Sequence, residues 1–219
     1  APRPRADTLL HAGENFGSEW LDAMRAAGTD SAEVGSTLDM LIIGDFGKDL
    51  DDEKALAMAI ALRRTGLIGS LAVIANSDDA RERARLAKGT AIALGSHDVR
   101  VAVGSQAKRE HEAHHYDFEE SAYIAPESEL DPLDGQGLAF DAIKKSAEAG
   151  HKMTIVLCSQ LTDMAAILAD PRWEELAPGV VSHVVAMGGA VEGEDGVIRA
   201  DPDAANNASD LQSARTVYD

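Results

Sequence analysis

The chain contains 219 residues, 45% of them hydrophobic and only 4% aromatic, which predicts one domain with a core of Ala, Leu, Val and Ile. The formal net charge of −18 at pH 7 would repel the phosphates of nucleic acids and of anionic membrane surfaces. We therefore expect neither nucleic acid nor a membrane as a partner.

Short apolar runs alternate with helix-like segments from residue 39 to the end of the chain. Each run is bounded by turn-forming residues and predicts a buried strand, and the segments between the runs predict helices. In chain order, the predicted elements are the strand Asp39–Phe46, the helix Asp51–Arg64, the strand Gly69–Asn76, the helix Asp78–Gly95, the strand Val99–Gly104, a helix near Leu138–Ala149, the strand Met153–Cys158, the helix Leu161–Asp170 stopped by Pro171, the strand Val180–Gly189 and a helix from about Ser209.

This alternation is typical of the α/β class. It predicts a Rossmann-like, mostly parallel sheet with helices on both faces, because consecutive parallel strands need a crossover connection. Residues 1–38 are predicted to be an N-terminal arm and linker, and residues 39–219 to be the α/β domain. The polar segment from Ser105 to Gly135 is predicted to be a long loop of the kind that covers binding sites.

Three isolated features have plain structural interpretations. The pair His111 and His115, one helical turn apart among acids, could bind a transition metal, but a solvated loop is the favoured interpretation. His183 stands inside an apolar run and is predicted to be a core residue. Cys158 also ends an apolar run, which predicts a small buried hydrophobe rather than a nucleophile.

The compartment is indicated only weakly. Because Cys158 is the single cysteine, no internal disulfide can form, which fits a reducing environment. No apolar run approaches the ~18 residues of a membrane span, and no signal-peptide core is visible. The expected location is the cytoplasm or an organelle interior, with no evident sign of secretion.

The segment "GDFGKDLDDEKAL" gathers Asp45, Asp49, Asp51 and Asp52 just after the first predicted strand. Like charges this close raise one another's pKa unless a cation or solvent compensates them. Acids in the first turn of a helix are favoured by its dipole, and this accounts for Asp51 and Asp52. It does not account for Asp45, which ends an apolar strand, and we therefore favour a cation site.

Polar residues also follow three other predicted strands. Asn76 ends the second strand, Ser159 and Thr162 follow the fourth, and Met187 begins the "MGG" turn at the end of the fifth. Ligands of parallel sheets bind outside the carboxyl ends of the strands, so these residues are expected at one edge together with the acids. Hard cations such as Ca²⁺ or Mg²⁺ bind carboxylate and carbonyl oxygens, and a water molecule activated there can act as a nucleophile.

At these positions the sequence resembles the inosine-uridine-preferring nucleoside hydrolases, which cleave the N-glycosidic bond of ribonucleosides using Ca²⁺. The resemblance covers about residues 40–219. It is carried by "DFGKDLDD" (45–52), "VIANSDDARERARLAKGTAIALGSHDVRVAVGS", "CSQLTDMAAIL", "VVAMGGAV" and "DPDAANNASDLQSARTVY". It implies a nucleoside hydrolase-like fold, a ribonucleoside substrate and a bound calcium ion.

The resemblance also implies a role for each matching residue. Asp45, Asp52 and the backbone carbonyl of Thr162 would hold Ca²⁺, and Asp45 or a neighbour would take a proton from the metal-bound water. The implied catalytic residues are Asp45, Asp51 and Asn76, and the implied substrate-binding residues are Asp51, Asn76, Met187, Asp203, Asn206 and Asn207. Anions and oriented amides around the sugar would favour an oxocarbenium-like transition state.

The sequence departs from the family pattern at several positions. Ile43 and Gly44 stand where acids or Thr are common, Ala204 or Ala205 replaces an acid of the substrate loop, and Asp163 gives "LTD" in place of "LTN". Family members continue past the equivalent of Asp219, and their C-terminal part supplies a His for the leaving base and a further metal-binding Asp. The sheet is therefore expected to be incomplete at its C-terminus, with a partner chain or a missing segment completing a homo- or hetero-oligomer.

Two alternatives to hydrolysis remain at this point. One is a catalytically degenerate nucleoside hydrolase-like subunit with a structural or binding role in a larger assembly. The other is a phosphatase-type α/β enzyme, which needs D-x-D-x-T/V after the first strand, and "DFGKD" does not match it.

Overall fold

The computed structural model describes residues 37–47, 50–106 and 124–218. The chain divides between Ser36 and Thr37, close to the predicted boundary after residue 38. Residues 1–36 of the predicted N-terminal arm, Asp49, the His111–His115 pair and residues 107–123 of the predicted long loop lie outside the described residues, whereas Leu38 already belongs to the first strand. Among the helices that are described, none combines the length and the apolar character required to span a bilayer.

The described part alternates strands and helices as predicted, with differences near the C-terminus. In chain order the elements are β1 (Leu38–Gly44), α1 (Asp51–Arg64), β2 (Ile68–Ala75), α2 (Ala80–Ala93), β3 (Arg100–Val103), a 3-10 turn (Glu127–Glu129), α3 (Gly135–Ala149), β4 (Lys152–Leu157), α4 (Thr162–Ala169), α5 (Pro171–Leu176), β5 (Val181–Ala186), β6 (Ala190–Glu192), β7 (Ile198–Ala200), α6 (Ala205–Ser209) and α7 (Leu211–Tyr218).

Strands β1 to β5 form one parallel sheet in the order β3-β2-β1-β4-β5. Near the end of β1, Ile43 lies between Ile74 of β2 and Leu157 of β4. Strands β2 and β3 therefore lie on one side of β1, in chain order. After β3 the chain crosses back, and β4 and β5 lie on the other side of β1. A crevice forms at such a reversal, between the loops that follow the two central strands.

Helices cover both faces of the sheet, so the predicted α/β class with its mostly parallel sheet is confirmed. Alternate residues of β1 point to opposite faces, as the two-residue period of a strand requires. Leu41 and Ile43 belong to one core together with Leu138 of α3. Ile42 belongs to the second core, with Leu56 of α1 and the Ala residues of α2.

Strand β5 is an edge strand in the described part of the chain, and its side chains are largely uncovered. Val184 and Val185 are 41% and 53% exposed, and the neighbouring His183 is exposed as well. The prediction that His183 is a core residue is therefore wrong. An apolar run alone does not reveal whether another strand covers it.

The C-terminal third differs from the prediction in three details. Pro171 does not simply end a helix but begins α5, where the missing N–H of proline costs nothing, and Asp170 caps that helix through the amide of Arg172. The segment predicted as a loop after β5 contains the antiparallel hairpin of β6 and β7. The last predicted helix begins earlier, at Ala205, and is broken at Asp210 into α6 and α7.

Candidate functional site

A cavity of about 280 Å³ opens at the carboxyl ends of β1 and β4, where the order of the strands reverses. Its position follows from the sheet order, and its volume is near the low end of the range for small-molecule pockets. The lining residues come from the loops after β1, β4 and β5 and from the start of α1 and α6. They are Asp45, Asp51, Cys158, Met187, Gly188, Ala204, Ala205 and Asn206.

The loop after β1 and the start of α1 bring three of the predicted acids, Asp45, Asp51 and Asp52, close together at this cavity. Asp45 and Asp51 line it, and the side chain of Asp52 is wholly buried next to the end of β1. At Gly44 an added Cβ would overlap Oδ1 of Asp52, so this position needs glycine for the carboxyl group to fit against the strand. The departure from the family pattern at Gly44 thus has a direct structural reason.

Asp52 is an unusual buried acid, because no N–H or hydroxyl group donates a hydrogen bond to either of its carboxyl oxygens. Burial, together with the nearby charges of Asp45 and Asp51, raises its pKa to about 8. The carboxyl of Asp45 is close enough to share a proton with that of Asp52, but two ionised carboxylates cannot satisfy each other. At neutral pH the group is therefore stable only when protonated or when a cation neutralises it.

Cys158 directly follows β4 and contributes to the cavity wall. Its predicted burial is confirmed, since only 7% of it is exposed. Burial raises the pKa of its thiol to about 12, and the charges of Asp52, Asp51 and Asp45 act in the same direction. The thiol is therefore neutral at physiological pH and acts as a small apolar part of the wall.

Asn206 lies at the mouth of the cavity and joins the ends of two strands. Its Nδ2 donates to the carbonyl of Met187 at 2.6 Å and to that of Cys158 at 3.1 Å. These bonds use both hydrogens of Nδ2 and so fix the orientation of the amide, whose Oδ1 is an acceptor.

The two glycines of the "MGG" turn let the loop before α6 (residues 201–204) approach the end of β5 closely. An added Cβ at Gly188 would lie 2.8 Å from the hydroxyl of Tyr218 and 3.0 Å from Oδ1 of Asn207. At Gly189 it would lie 2.6 Å from the Cβ of Ala204. The close contact between this turn and the loop before α6 places Asn206 at the cavity.

Not every predicted substrate-binding residue lines the cavity. Asn207 is fully buried, and its Nδ2 donates at 2.8 Å to the carbonyls of Gly189 and Asp201. Asp203 is exposed in the turn before α6, where its amide donates to Asp201. Asn207 therefore fastens the loop before α6 (residues 201–204) to the turn after β5, whereas Asp203 stands at the outer surface of that loop.

Asn76 is also fully buried, and its side-chain amide forms hydrogen bonds within the chain. Its Nδ2 donates to Oδ2 of Asp163 at 2.7 Å and to the carbonyl of Gln160 at 3.2 Å, and its Oδ1 accepts from Ser159 at 2.6 Å. These bonds join the end of β2 to the loop after β4. "LTD" in place of "LTN" thus supplies the acceptor, Asp163, to which Asn76 is bound.

The donor set for a cation is partly assembled. Asp45 and Asp52 offer carboxylates in a buried setting, which suits a hard cation. Thr162 begins α4, and its hydroxyl donates to Asp210 at 2.8 Å, while the residue is not part of the cavity lining. Over residues 37–47, 50–106 and 124–218, no three His, Cys, Asp or Glu side chains form a complete metal-binding group.

Comparison with known proteins gives likenesses at the level of structure. No family model and no curated protein sequence matches the chain. The type III effector protein XopQ, solved in complex with adenosine diphosphate ribose, is 30% identical with a TM-score of 0.69 over 84% of this chain and 54% of its own.

Two nucleoside hydrolases have more distant sequences and the same fold. The inosine-uridine preferring nucleoside hydrolase from Bacillus anthracis is 14% identical, with a TM-score of 0.54 over 83% of this chain and 62% of its own. The purine-preferring ribonucleoside hydrolase from Gardnerella vaginalis is 18% identical, with a TM-score of 0.54 over 82% and 57%. The chain spans little more than half the length of these structures, and the likeness shows that it has a nucleoside hydrolase-like α/β fold.

Proposed function

We propose that this chain carries the ribose-binding part of a calcium-dependent ribonucleoside hydrolase, which cleaves the N-glycosidic bond to give ribose and free base. The observation that carries the proposal is the convergence of Asp45, Asp51 and Asn206 at one cavity on the switch point of the sheet, with Asp52 buried beside Asp45. The fold shared with two nucleoside hydrolases supports it.

Asp45 and Asp52 are the residues that would hold the calcium ion, together with the backbone carbonyl of Thr162. Their fit to a cation rests on Asp52, whose two buried oxygens lack a hydrogen-bond donor. When bound, Ca²⁺ would lower the pKa of a water molecule and so supply the nucleophile. A site with so few protein carboxylates would bind Ca²⁺ in about the 0.1–1 mM range unless further groups complete it.

The side chains at the cavity have distinct parts in this proposal. Asp45 would accept the proton of the attacking water. Asp51 and Oδ1 of Asn206 would accept hydrogen bonds from ribose hydroxyls, and the carboxylates would stabilise the positive charge that develops on the sugar. The neutral thiol of Cys158 and the side chain of Met187 would form the apolar part of the wall.

Asn76, Asp203 and Asn207 were predicted to contact the substrate, and in this proposal none of them does so directly. Asn76 and Asn207 are fully buried and bonded within the chain, so we propose that they fix the loops after β2 and before α6 around the ribose. Asp203 would reach a ligand only if the turn that carries it closed over the cavity.

We further propose that additional polypeptide covers the edge of β5. The exposed apolar side chains of Val184 and Val185 need a cover, and the matched solved structures are nearly twice as long as the part that this chain matches. A continuation of the chain or a partner, in a homo- or hetero-oligomer, would serve. Replacing Val185 by Lys should reduce the binding of a hydrophobic dye such as ANS by the chain alone and weaken any association that light scattering detects.

A second candidate function is a non-catalytic ligand-binding subunit. The observation that favours it is the absence of a complete metal-binding group among the described residues. XopQ, whose structure contains adenosine diphosphate ribose, shows that a protein with this architecture can be solved with a ribose-containing ligand.

Ribose release separates the two functions. The full chain would be incubated with inosine or uridine in the presence of Ca²⁺, and reducing sugar would be measured over time. If the chain is a hydrolase, ribose should be released, and both chelation of Ca²⁺ and the Asp52→Ala substitution should abolish this release. The Glu148→Gln variant, changed at an exposed position on α3, should still release ribose. Binding of adenosine diphosphate ribose or inosine without release would favour the non-catalytic subunit.

A further inference from the structure

Arg83 is a wholly buried cation directly behind the loop that carries the acids. It lies on α2, and its side chain has no exposed surface. Buried arginines are rare because removing the charge from water is costly unless several acceptors replace the water. The groups that accept hydrogen bonds from Arg83 show which segments of the chain it joins.

The guanidinium group of Arg83 joins two of the loops at the carboxyl edge of the sheet. Its Nη1 donates to the carbonyls of both Asp45 and Phe46 at 2.8 Å. Its Nε donates to the carbonyl of Asp78 at 2.5 Å, and its Nη2 lies 3.1 Å from Oδ1 of the same residue. One side chain therefore fastens the loop after β1 to the loop after β2.

The loop after β2 has a backbone shaped for this contact. Ser77 and Asp79 both have positive φ angles, 78° and 53°, although neither is glycine. Such conformations cost of order 1–3 kcal/mol each and persist where the surroundings impose them. The strained turn presents both the carbonyl and the carboxylate of Asp78 to Arg83.

The contact to Asp45 determines which way that residue faces. Its carbonyl is held on the side of Arg83, while its side chain lines the cavity. The next residue, Phe46, is held by the same nitrogen and is wholly buried in the core. The carboxylate of Asp45 is thus presented to the site by a backbone that is fixed at two successive carbonyls.

From this geometry we infer that Arg83 is a positioning residue: it fixes the loop after β1 so that the carboxylate of Asp45 stays beside that of Asp52 and can share a ligand with it. The inference deepens the proposed function and rests on it for the identity of the ligand. Arg83 does not line the cavity, and it reaches Asp45 through the backbone carbonyl of that residue. Lysine cannot replace it, because a single ammonium nitrogen cannot reach acceptors in two loops with the geometry of a planar fork.

The same helix offers a matched control. Lys88 is also a buried cation of α2, and its Nζ donates to the carbonyls of His97 at 2.7 Å and Val99 at 2.9 Å, in the segment leading to β3. Replacing Lys88 or Arg83 by Met should destabilise the fold in a similar way. Only the Arg83 change should disturb the acid loop.

The test compares Arg83→Lys, Arg83→Met and Lys88→Met in the full chain, at a temperature where thermal melting shows that each variant is folded. Calorimetric titration with Ca²⁺ should give a dissociation constant raised by about tenfold to a hundredfold in both Arg83 variants, as expected for lost hydrogen bonds of a charged donor, and unchanged in Lys88→Met. Equal affinity in all folded variants would overturn the inference and leave the proposed function standing.

A second measurement applies even if the wild-type chain binds no Ca²⁺ and releases no ribose, a result that would count against the proposed function alone. Amide hydrogen exchange of a peptide spanning residues 41–56 should be faster in Arg83→Lys and Arg83→Met than in Lys88→Met, because the loop loses its anchor. Unchanged exchange of this peptide in the Arg83 variants would show that Arg83 does not position the loop and would overturn the inference.

Discussion

Replacing Asp52 by Asn should make the metal-free protein increasingly more stable than the wild type as the pH rises. Asn has nearly the same shape as Asp and carries no charge. The folded state keeps the Asp52 proton up to about pH 8, whereas the unfolded chain loses it near the ordinary value of 3.8. The folded state therefore binds the extra proton between these values, and wild-type stability is lost as the pH rises through this window.

The size of the effect follows from the pKa difference. At ~1.4 kcal/mol per pKa unit, ionisation of the unfolded chain costs the wild type roughly 4 kcal/mol at pH 7 and less than roughly 1 kcal/mol at pH 4. The stability difference between Asp52→Asn and wild type should therefore grow by roughly 3 to 4 kcal/mol between these two pH values. Any constant cost of burying the amide of Asn cancels in this comparison.

Urea unfolding in the presence of a chelator, at several pH values from 4 to 8, measures the difference. The exposed Glu148→Gln variant serves as the control and should follow the wild type at every pH. A stability difference between Asp52→Asn and wild type that does not change with pH would refute the buried, proton-binding environment assigned to Asp52. With Ca²⁺ at about 100 times its dissociation constant, the wild type should gain about 2.7 kcal/mol and Asp52→Asn nothing.

Three further outcomes are expected at the same site. Gly44→Ala should lower the free energy of unfolding by about 1–3 kcal/mol, because the added methyl group overlaps the carboxyl of Asp52, and a urea titration would detect it. Cys158 should react with iodoacetamide at pH 8 about a thousandfold more slowly in the native protein than in the unfolded chain, because its pKa in the folded protein is about 12. Mass spectrometry would measure the two rates, and equal rates would contradict this expectation. Asn206→Ala should reduce kcat/KM for ribose release by about tenfold or more, because the ribose loses a hydrogen-bond acceptor and the carbonyl of Met187 loses its donor. An unchanged kcat/KM would exclude Asn206 from the site.

The periodicity of the sequence was sufficient for the framework of the fold. Strands buried on both faces leave near-continuous apolar runs, and β1, β2 and β4 were each predicted to within two residues at either end. The pattern could not reveal that β5 is uncovered, because an apolar run has the same composition whether or not a neighbour lies beside it. The hairpin of β6 and β7 was missed because three-residue strands are too short to show a period.

The candidate site was predictable where it depends on strand ends. Asp45, Asp51, Met187 and Asn206 line one cavity, as expected from their positions after strands or in the substrate loop, while their chemical roles stay predictions. Asn76 was predicted from the same rule, yet it is bonded to Asp163. Chain position specifies which edge of the sheet a residue occupies, but not whether its hydrogen bonds are already used.

Other contributions to the site depend on contacts that no local pattern contains. Arg83 reaches the loop after β1 from a helix that follows β2. It is one of three arginines on α2, and nothing in the local sequence marks it as the buried one. Cys158 was predicted to be buried, but its place on the cavity wall follows only from the reversal of strand order between β1 and β4.

The central position of β1 has a consequence for how this protein folds. Asp45 and Asn206 come from opposite ends of the described chain, and they meet only after β4 has docked against β1 and β5 against β4. Contacts between such distant segments form late, because closing a long loop costs entropy before any contact rewards it. A ligand that touches both residues therefore binds the fully assembled sheet and no partly folded form, so the binding activity of a refolding sample should report the completion of folding rather than the recovery of secondary structure.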